Sequence, residues 1–465
     1  MIISFFGGAH EVGRSCIHVE TKNSRFLFDA GIMVGQTEGK EGGREKKSTI
    51  YPQVETIKEL EALILTHAHL DHSGYIPYLI KDLKAPFYAT PPTQDIAEKL
   101  WIDHIRLSKN ENHTTNDTDE ESTPYELNDI HFVRKYAQDI RYRVKTKIGK
   151  GDKKDEFWLY RSGHILGSSM IGLRVGGPGG KILLYTSDIN TRHTRTLHQL
   201  DLNLPPINYL IIESTYGAPW DQHPSLKKIE KEFLDAIKTT IDKGGKVIIP
   251  VFAVGRAQDV MLTIEAYMSS KYLQEVPVFI DGMIRKINKI YTLFWEWLRP
   301  EIQKSIRYTG KNPFKSSIFR TVTDRDEPLK EGEPCIIITT SGMLEGGPVI
   351  HYLEHLVSDS KNLIGLTGYQ VQGSRGRSLM DGEKSIQLPG GETVNVESGV
   401  KFFDFSAHAD QGGLLRFISS LKNLEQVYIV HGEGNKPKLL AEKIEEISGS
   451  EVFVPEIGDQ FDTKR

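Results

Sequence analysis

The chain has 465 residues, with 58 lysines and arginines against 62 aspartates and glutamates and a formal net charge of -4. That length predicts two or three domains, and the charge balance excludes a generally basic nucleic-acid coat, so a nucleic-acid partner would have to meet a local basic groove. Cys16 and Cys335 lie far apart beside apolar residues with no Cys-X-X-Cys pair, which excludes a disulfide framework and reads as buried reduced thiols of a cytoplasmic protein. No stretch approaches transmembrane length, and Met1-Ile2-Ile3-Ser4-Phe5-Phe6 passes straight into glycine, as a first strand and not a leader.

Taken in order, residues 2–6, 15–20 and 25–28 read as strands joined by tight glycine turns, a sheet that starts as hairpins. Gly7-Gly8 with Gly13 lacks the spacing and the following helix of a dinucleotide fingerprint. Residues 35–49 are polar, charged and glycine-rich, and read as a surface loop. An apolar run at 63–65 is a buried strand, followed by a helix over 76–83, a strand at 85–89 and a helix over 93–107. Residues 109–123 read as a polar surface insertion, and 140–143 with 157–160 as paired strands around a charged turn at 149–154. Buried strands at 181–185 and 209–212 follow. From Pro219 the pattern changes to long helices alternating with apolar strands at 246–250, 276–280, 335–339 and 363–367, the signature of a parallel α/β domain. Residues 387–405 return to hairpins, and the chain closes with helices and the buried strand 426–430, so the C-terminal part is expected to fold back onto the first.

The chemistry gathers where strands stop. The strand at 63–65 ends in Thr66-His67-Ala68-His69-Leu70-Asp71-His72, where open α/β sheets carry their sites. His67 and His69 alternate and can point one way, while Asp71 and His72 can point to a second spot. Imidazoles with a carboxylate suit zinc or another divalent transition metal, and two clusters suggest two ions. His164 stands between Gly163 and Gly167, where small neighbours let the backbone approach closely. Asp188 follows a further buried strand, a position from which a carboxylate could bridge two cations, and Glu213 ends another such strand. His408 and His431 repeat the pattern near the end of the chain. His351 and His355 have zincin-like spacing, but Tyr352 stands where the glutamate of His-Glu-X-X-His would be, so they read as helix-surface or core residues. Trp295 and Trp297 read as core or an oligomer face.

Together Asp29, His67-Ala68-His69-Leu70-Asp71-His72, His164, Asp188, Glu213 in Glu-Ser-Thr-Tyr-Gly, His408 in Phe-Ser-Ala-His-Ala-Asp and His431 in Val-His-Gly-Glu resemble the β-CASP nuclease branch of the metallo-β-lactamase fold. The resemblance covers essentially the whole chain. It implies an α/β architecture, a metallo-β-lactamase αββα sandwich with an inserted α/β β-CASP domain, at residues 1–214 and 396–465 for the sandwich and 215–395 for the insertion. It implies two Zn2+ per chain: His67, His69 and His164 on one, Asp71, His72 and His431 on the other, and Asp188 bridging. Asp29 resembles the family's supporting carboxylate near the metals, and Glu213 the one that holds His408. Asp71, His408 and Glu213 are the expected catalytic groups, with a metal-bridging hydroxide attacking phosphorus and His408 helping the leaving oxygen. A histidine in the C-terminal motifs, where DNA-repair members tend to carry an aliphatic residue, implies single-stranded RNA as substrate.

The middle domain resembles the β-CASP lid, and Arg256, Ser341, Gly342, Ser374, Arg375 and Arg377 are the candidate phosphate contacts, because helix starts and glycine backbone offer N–H groups and arginine offers a planar fork. The form of the motif around His408 looks more like the cleavage and polyadenylation specificity factor nucleases and their prokaryotic relatives than like ribonuclease J. Endonuclease action is the first expectation and a 5′→3′ exonuclease the alternative. A small-molecule metallohydrolase would have little need of the large insertion, and a non-catalytic subunit of an RNA-processing complex would have lost ligands that are all present here. A homodimer is suggested by the family and by the apolar strand 452–454.

Overall fold

The computed structural model describes residues 1–41, 44–114, 123–149, 153–330, 332–389 and 391–463, with backbone alone for those lying within 34–48 and 110–122. The chain divides into two compact units, one formed by residues 1–192, 199–222 and 408–465, the other by 193–198 and 223–407.

The first unit is built on two seven-stranded sheets. In one the spatial order is Gln460–Asp462, Ile2–Gly7, Cys16–Glu20, Arg25–Phe28, Ala62–Ile64, Phe87–Ala89 and Ala137–Asp139. The hairpin strands at its start are antiparallel, and those from Arg25–Phe28 onward are parallel. In the other sheet the order is Glu451–Phe453, Gln426–Val430, Tyr209–Glu213, Ile182–Tyr185, Ser169–Arg174, Asp155–Arg161 and Thr146–Ile148. The inward positions of both sheets, among them Ile3, Phe5, Phe26, Phe28, Leu159, Leu183, Tyr185, Ile211 and Tyr428, form one buried cluster, so the sheets pack face to face. Phe28 stacks on Tyr185 at 5.9 Å and Phe5 meets Tyr428 at 5.8 Å; burying a ring of this size contributes roughly 1.5–3 kcal/mol. Helices cover the outer faces. Gln411–Ser420 and Lys436–Ser448 bury Leu414, Phe417, Leu440 and Ile444 against the second sheet. Ile76–Leu83 and Pro91–Thr114 cover the first, where the Trp101 ring meets Phe87 and its Nε1–H donates to the Ser73 carbonyl at 2.9 Å. These are the four layers of an αββα sandwich.

The second unit has a six-stranded parallel sheet in the order Phe319–Thr321, Val278–Ile280, Ile336–Thr339, Val247–Pro250, Leu363–Thr367 and Gly399–Phe403. Its central strands are apolar throughout because both faces are covered. Leu226–Asp242 and Arg256–Ser269 pack on one face through Phe233, Ile237, Val260 and Ile264. Val349–Leu356 packs on the other through Val349, Tyr352 and Leu353. Ser225 starts the first of these helices, its Oγ accepting from the Lys228 N–H.

Three local expectations fail. Residues 35–49 are not a loop: Met33–Glu41 and Arg44–Ile50 form an antiparallel ribbon. Two strands that satisfy each other's backbone groups need not bury a face, so polar composition did not exclude them. Across the charged turn the strand paired with Asp155–Arg161 is Thr146–Ile148 and not 140–143, where Arg143 takes a φ of 65° and turns the chain; positions 150–152 of the connecting turn lie outside the described residues. The hairpin in 387–405 is Ser385–Gln387 with Thr393–Asn395, and Gly399–Phe403 instead joins the parallel sheet. Residues 115–122 of the polar insertion also lie outside the described residues, but the helix Pro91–Thr114 runs into its start. Cys16 and Cys335 are buried and free. Val452 and Val454 are half-buried against the outer core of their own unit, so the apolar strand is partly used internally. No helix among the described residues is long and apolar enough to cross a membrane.

His104, in the helix Pro91–Thr114, is buried, and its Nε2 finds no hydrogen-bond partner among the described residues. Burial pushes its pKa down from 6.5 to about 4. Below 6.5 the unfolded chain takes up a proton that the folded chain refuses, so stability falls as pH drops from 6.5 to about 4 and levels off below that. A His104→Gln variant should lose this component, up to about 3 kcal/mol, in urea unfolding at pH 4.5 compared with pH 7.5; an unchanged difference between the two pH values would refute it.

Candidate metal centre

The segment Thr66–His72 is the turn that ends Ala62–Ile64, and it is held from outside by backbone. Ser15 N–H donates to the Asp71 carbonyl at 2.7 Å, Ala30 N–H to His72 at 2.8 Å and Ile32 N–H to Leu70 at 2.9 Å. Gly31 lies so close that a Cβ there would stand 1.7 Å from the Asp71 carbonyl oxygen. His164 sits in a loop closed by Ser168, whose Oγ accepts from the His164 N–H at 3.2 Å. Asp188 follows Ile182–Tyr185, and His431 follows Gln426–Val430. The His431 N–H donates to the Gly8 carbonyl at 2.6 Å, so the glycine-rich first loop is a seat for that histidine. Asp29, Ser187 and His431 have φ of 59°, 50° and 54°, a region L-residues rarely enter, and they cluster at this site.

These turns bring seven side chains together in two groups that share Asp188. His67, His69, His164 and Asp188 form one, and Asp71, His72, His431 and Asp188 the other, each with its donor atoms within 4.8 Å of one another. In the first, His69 Nδ1 is 3.1 Å from His164 Nε2, and Asp188 Oδ2 is 3.5 Å from both His67 Nε2 and His164 Nε2. In the second, His72 Nε2 is 3.3 Å from His431 Nε2, Asp188 Oδ1 is 3.4 Å from His72 Nε2, and Asp71 Oδ2 is 3.5 Å from His431 Nε2. Ligands about 2.0–2.1 Å from a tetrahedral ion stand ~3.3 Å apart, a spacing these donor pairs match. His67 Nε2, His69 Nε2 and Asp188 Oδ1 are buried with no hydrogen-bond partner among the described residues, and buried polar atoms without a partner are costly. The donor set fits divalent ions.

The electrostatics agree. Burial holds His67 well below the usual histidine range and brings His69 down to about 4, and neutral imidazole is the form that binds metal. For His72 burial acts the same way but is overcome by the carboxylates of Asp188 and Asp29, which draw positive charge toward it and raise its pKa. His431 is raised by Asp188 and Asp71 against burial. Asp188 is held well below the usual carboxylate range by His431 and His72, although burial opposes this. A cation belongs between these groups.

Around the cluster stand its supports, of which the motifs named Asp29 and Glu213. Asp29, fully buried, accepts from Thr66 N–H at 2.7 Å, from the Thr66 and Tyr185 hydroxyls at 2.8 and 3.0 Å, and from His72 Nδ1–H at 2.8 Å. It therefore fixes the His72 tautomer with Nε2 facing Asp188. Ser187 and Thr215 place hydroxyls 2.7 Å from Thr66 Oγ1 and 3.2 Å from His431 Nδ1. Ser187 carried no sequence signal beyond its place beside Asp188, and Thr215 only its place inside Glu-Ser-Thr-Tyr-Gly. Glu213 Oε2 is 2.9 Å from His408 Nδ1, and its Oε1 accepts from the Ile189 N–H at 2.6 Å. His408 Nε2 is 3.9 Å from Asp188 Oδ2. Burial would lower the His408 pKa, but Glu213 and Asp188 raise it. Asp410, two residues on, caps the helix Gln411–Ser420 by accepting from the Gly413 N–H.

The six candidate phosphate contacts all lie in the second unit, at the carboxyl ends of three adjacent parallel strands. Arg256 opens the helix after Val247–Pro250, Ser341 and Gly342 follow Ile336–Thr339, and Ser374, Arg375 and Arg377 follow Leu363–Thr367. The loops touch: Gln370 Nε2 donates to the Gly342 carbonyl at 3.2 Å, and Gly376 N–H to Met343 at 3.1 Å. Their charges are answered locally. Arg375 pairs with Glu345 at 3.0 Å, Arg377 with Asp381 at 2.9 Å, and the buried Arg256 with Asp259 at 3.6 Å. Ser374 caps its own short helix.

Two substitutions test the supports. Asp29→Asn keeps the shape and removes the charge behind His72, and should weaken divalent-metal affinity by ~10–100-fold in calorimetric titration; equal affinity would show that His72 is oriented without it. Gly31→Ala should displace the Asp71 carbonyl and lower the metal content of the purified chain, read by plasma emission, with full content counting against the tight approach.

Residues 18–210 match the metallo-beta-lactamase superfamily domain, 257–379 the Beta-Casp domain, and 393–455 the Zn-dependent metallo-hydrolase RNA specificity domain. The chain is 38% identical over 464 residues to "Transcription termination factor FttA" of Methanocaldococcus jannaschii, covering 97% of this chain and 70% of that protein. It is 37% identical over 457 residues to an "RNase J-like protein" of the same organism, with 98% of each covered, and 35% identical to the FttA of Thermococcus kodakarensis, with 97% and 70% covered. Among solved structures, a protein of unknown function from Enterococcus faecalis V583 superposes with a TM-score of 0.57 over 99% of both chains at 14% identity, a likeness of fold. The four-layer sandwich, its double histidine–aspartate cluster and these matches agree: the chain belongs to the β-CASP ribonuclease branch of the metallo-β-lactamase superfamily, a family of metal-dependent enzymes.

Proposed function

We propose that the chain hydrolyses phosphodiester bonds of single-stranded RNA, cutting internally, with two zinc ions as its resident metals. His67, His69 and His164 would hold one ion, Asp71, His72 and His431 the other, and Asp188 would offer one carboxylate oxygen to each. When bound, such ions supply Lewis acidity toward phosphoryl oxygen and a nucleophile at neutral pH. The observation that carries the reading is the Glu213–His408 contact beside the double cluster. Glu213 accepts a hydrogen bond from His408 Nδ1–H, so the second proton of the imidazolium sits on Nε2, on the Asp188 side. From there it can pass to the departing 3′ oxygen, a contribution worth typically ~10²–10⁴-fold. Glu213 itself cannot wander, because the Ile189 N–H fixes its other oxygen.

The likeness to transcription termination factors supports a nascent transcript as the substrate, and the RNA specificity match supports RNA over other phosphodiesters. The likeness to an RNase J-like protein over the whole chain favours one second reading, a 5′→3′ exonuclease. Substrate contacts are proposed at the strand-end loops of the second unit. Since Arg375 and Arg377 are already paired with Glu345 and Asp381, RNA would gain from them only by exchanging one anion for another.

His408→Ala should retain both metal ions and lose ~10²–10⁴-fold in cleavage rate; a rate like the parent's would remove the acid. Asp188→Ala should lose metal, with full stoichiometry counting against the bridge. The function itself is tested with one single-stranded RNA, labelled at the 5′ or the 3′ end and carrying a 5′ monophosphate or a 5′ hydroxyl. Internal fragments whatever the 5′ group establish an endonuclease. Mononucleotides released from the 5′ end, faster with the monophosphate, establish the exonuclease. No cleavage by metal-loaded protein refutes both. Doubling Arg375→Ala with Arg377→Ala should lower affinity and flatten its salt dependence; unchanged values would place that loop away from the RNA.

A further inference from the structure

Far from the cluster in sequence, the helix Val349–Leu356 presents His351, Glu354 and His355 one turn apart, with donor atoms of all three within 4.8 Å of one another. We infer that His351, His355 and Glu354, together with Asp326, form a further site for a divalent transition-metal ion, separate from the ions of the first unit and outside the proposed cleavage chemistry.

Four observations carry it. The His351 and His355 rings stand 4.6 Å apart on one helix face, as residues four apart on a helix must. His355 Nδ1 lies 2.8 Å from the His351 carbonyl. A carbonyl can only accept, so Nδ1 carries the proton and Nε2 keeps a lone pair. A backbone carbonyl holding the second nitrogen in this way is the usual support of a metal-binding histidine. His351 Nε2 is buried, has no hydrogen-bond partner among the described residues, and stands 3.5 Å from Asp326 Oδ1. Finally, the Asp326 side chain is exposed, but the loop that carries it is held beside the helix. The neighbouring Arg325 Nε donates to Asp281 Oδ2 at 2.8 Å, and the same oxygen accepts from the Tyr352 hydroxyl at 2.9 Å. Asp281 therefore fastens the loop that carries Asp326 to the helix that carries the histidines.

Two imidazoles with two carboxylates are borderline nitrogen and hard oxygen donors, which select Zn2+, Ni2+ or Cu2+ over Mg2+ or Ca2+. The first unit's donors come from turns of two sheets, whereas these come from one helix and one loop. Their exposure differs too: the His355 and Glu354 side chains are open to solvent, so this ion would exchange readily. Bound there, it would tie the loop to the helix and stiffen this part of the second unit.

The test is a zinc titration of the full chain against a fluorescent zinc indicator, in wild type, His355→Ala and Asp326→Asn, with circular dichroism to show that each is folded. Wild type should take up one more equivalent per chain than His355→Ala, and Asp326→Asn should bind that equivalent more weakly. Zinc should raise the thermal midpoint further in wild type than in His355→Ala, and RNA cleavage should be the same in all three. Equal stoichiometry in wild type and His355→Ala overturns the site, as does unaltered affinity in Asp326→Asn.

Discussion

Asp188 places one carboxylate oxygen among His67 and His164 and the other among His72 and His431, all of them buried. Nitrogen lone pairs and carboxylate oxygens brought this close in a low dielectric have no other route to stability than positive charge between them. The ion site is thus an electrostatic demand made by the fold. The backbone contacts to residues 70–72, the seat for His431 at the Gly8 carbonyl and the left-handed conformations of Asp29, Ser187 and His431 hold these groups together against their mutual repulsion and desolvation.

That constraint explains why the supports are as buried as the donors. An imidazole serves a metal only with the right tautomer and ring orientation, and these are set by what its second nitrogen meets. Asp29 does this for His72, and Thr66 and Tyr185 do it for Asp29 in turn. Tyr185 also stacks on Phe28 at the face between the two sheets. One side chain therefore belongs both to the hydrophobic core and to the site, so a packing change at that face would be felt by the metal donors. Glu213 links His408 to the Asp188 turn in the same manner, through the Ile189 N–H.

The second unit follows a different logic. In a parallel sheet all carboxyl ends lie on one edge, and the loops beyond Pro250, Thr339 and Thr367 gather there by topology alone. The arginines at that edge are balanced by Glu345, Asp381 and Asp259. With a net charge of -4 for the whole chain, bulk charge does not favour a polyanion, so the proposed recognition of RNA would rest on local exchange of these pairings.

The amino-acid order determined much of this by itself. His-X-His-X-Asp-His at the end of an apolar strand, lone histidines beside glycines, and carboxylates closing buried strands are residue types with few other uses, and the resemblance they carry extended to the αββα sandwich and the β-CASP domain. Apolar runs of four or five residues marked the parallel strands because burial on both faces leaves no room for polar alternation. Tertiary structure decided which donors meet. Val430 lies beside Glu213 only through the register of two strands more than two hundred residues apart, and that register brings His431 to Asp188. It also decided that Asp29 faces a histidine, that the arginines of 375–377 face carboxylates, and that the polar stretch at 35–49 becomes a ribbon. The physical reason is the same in each case. Composition states what a side chain can do, while the distance to its partner is set by loops and registers that no local window contains.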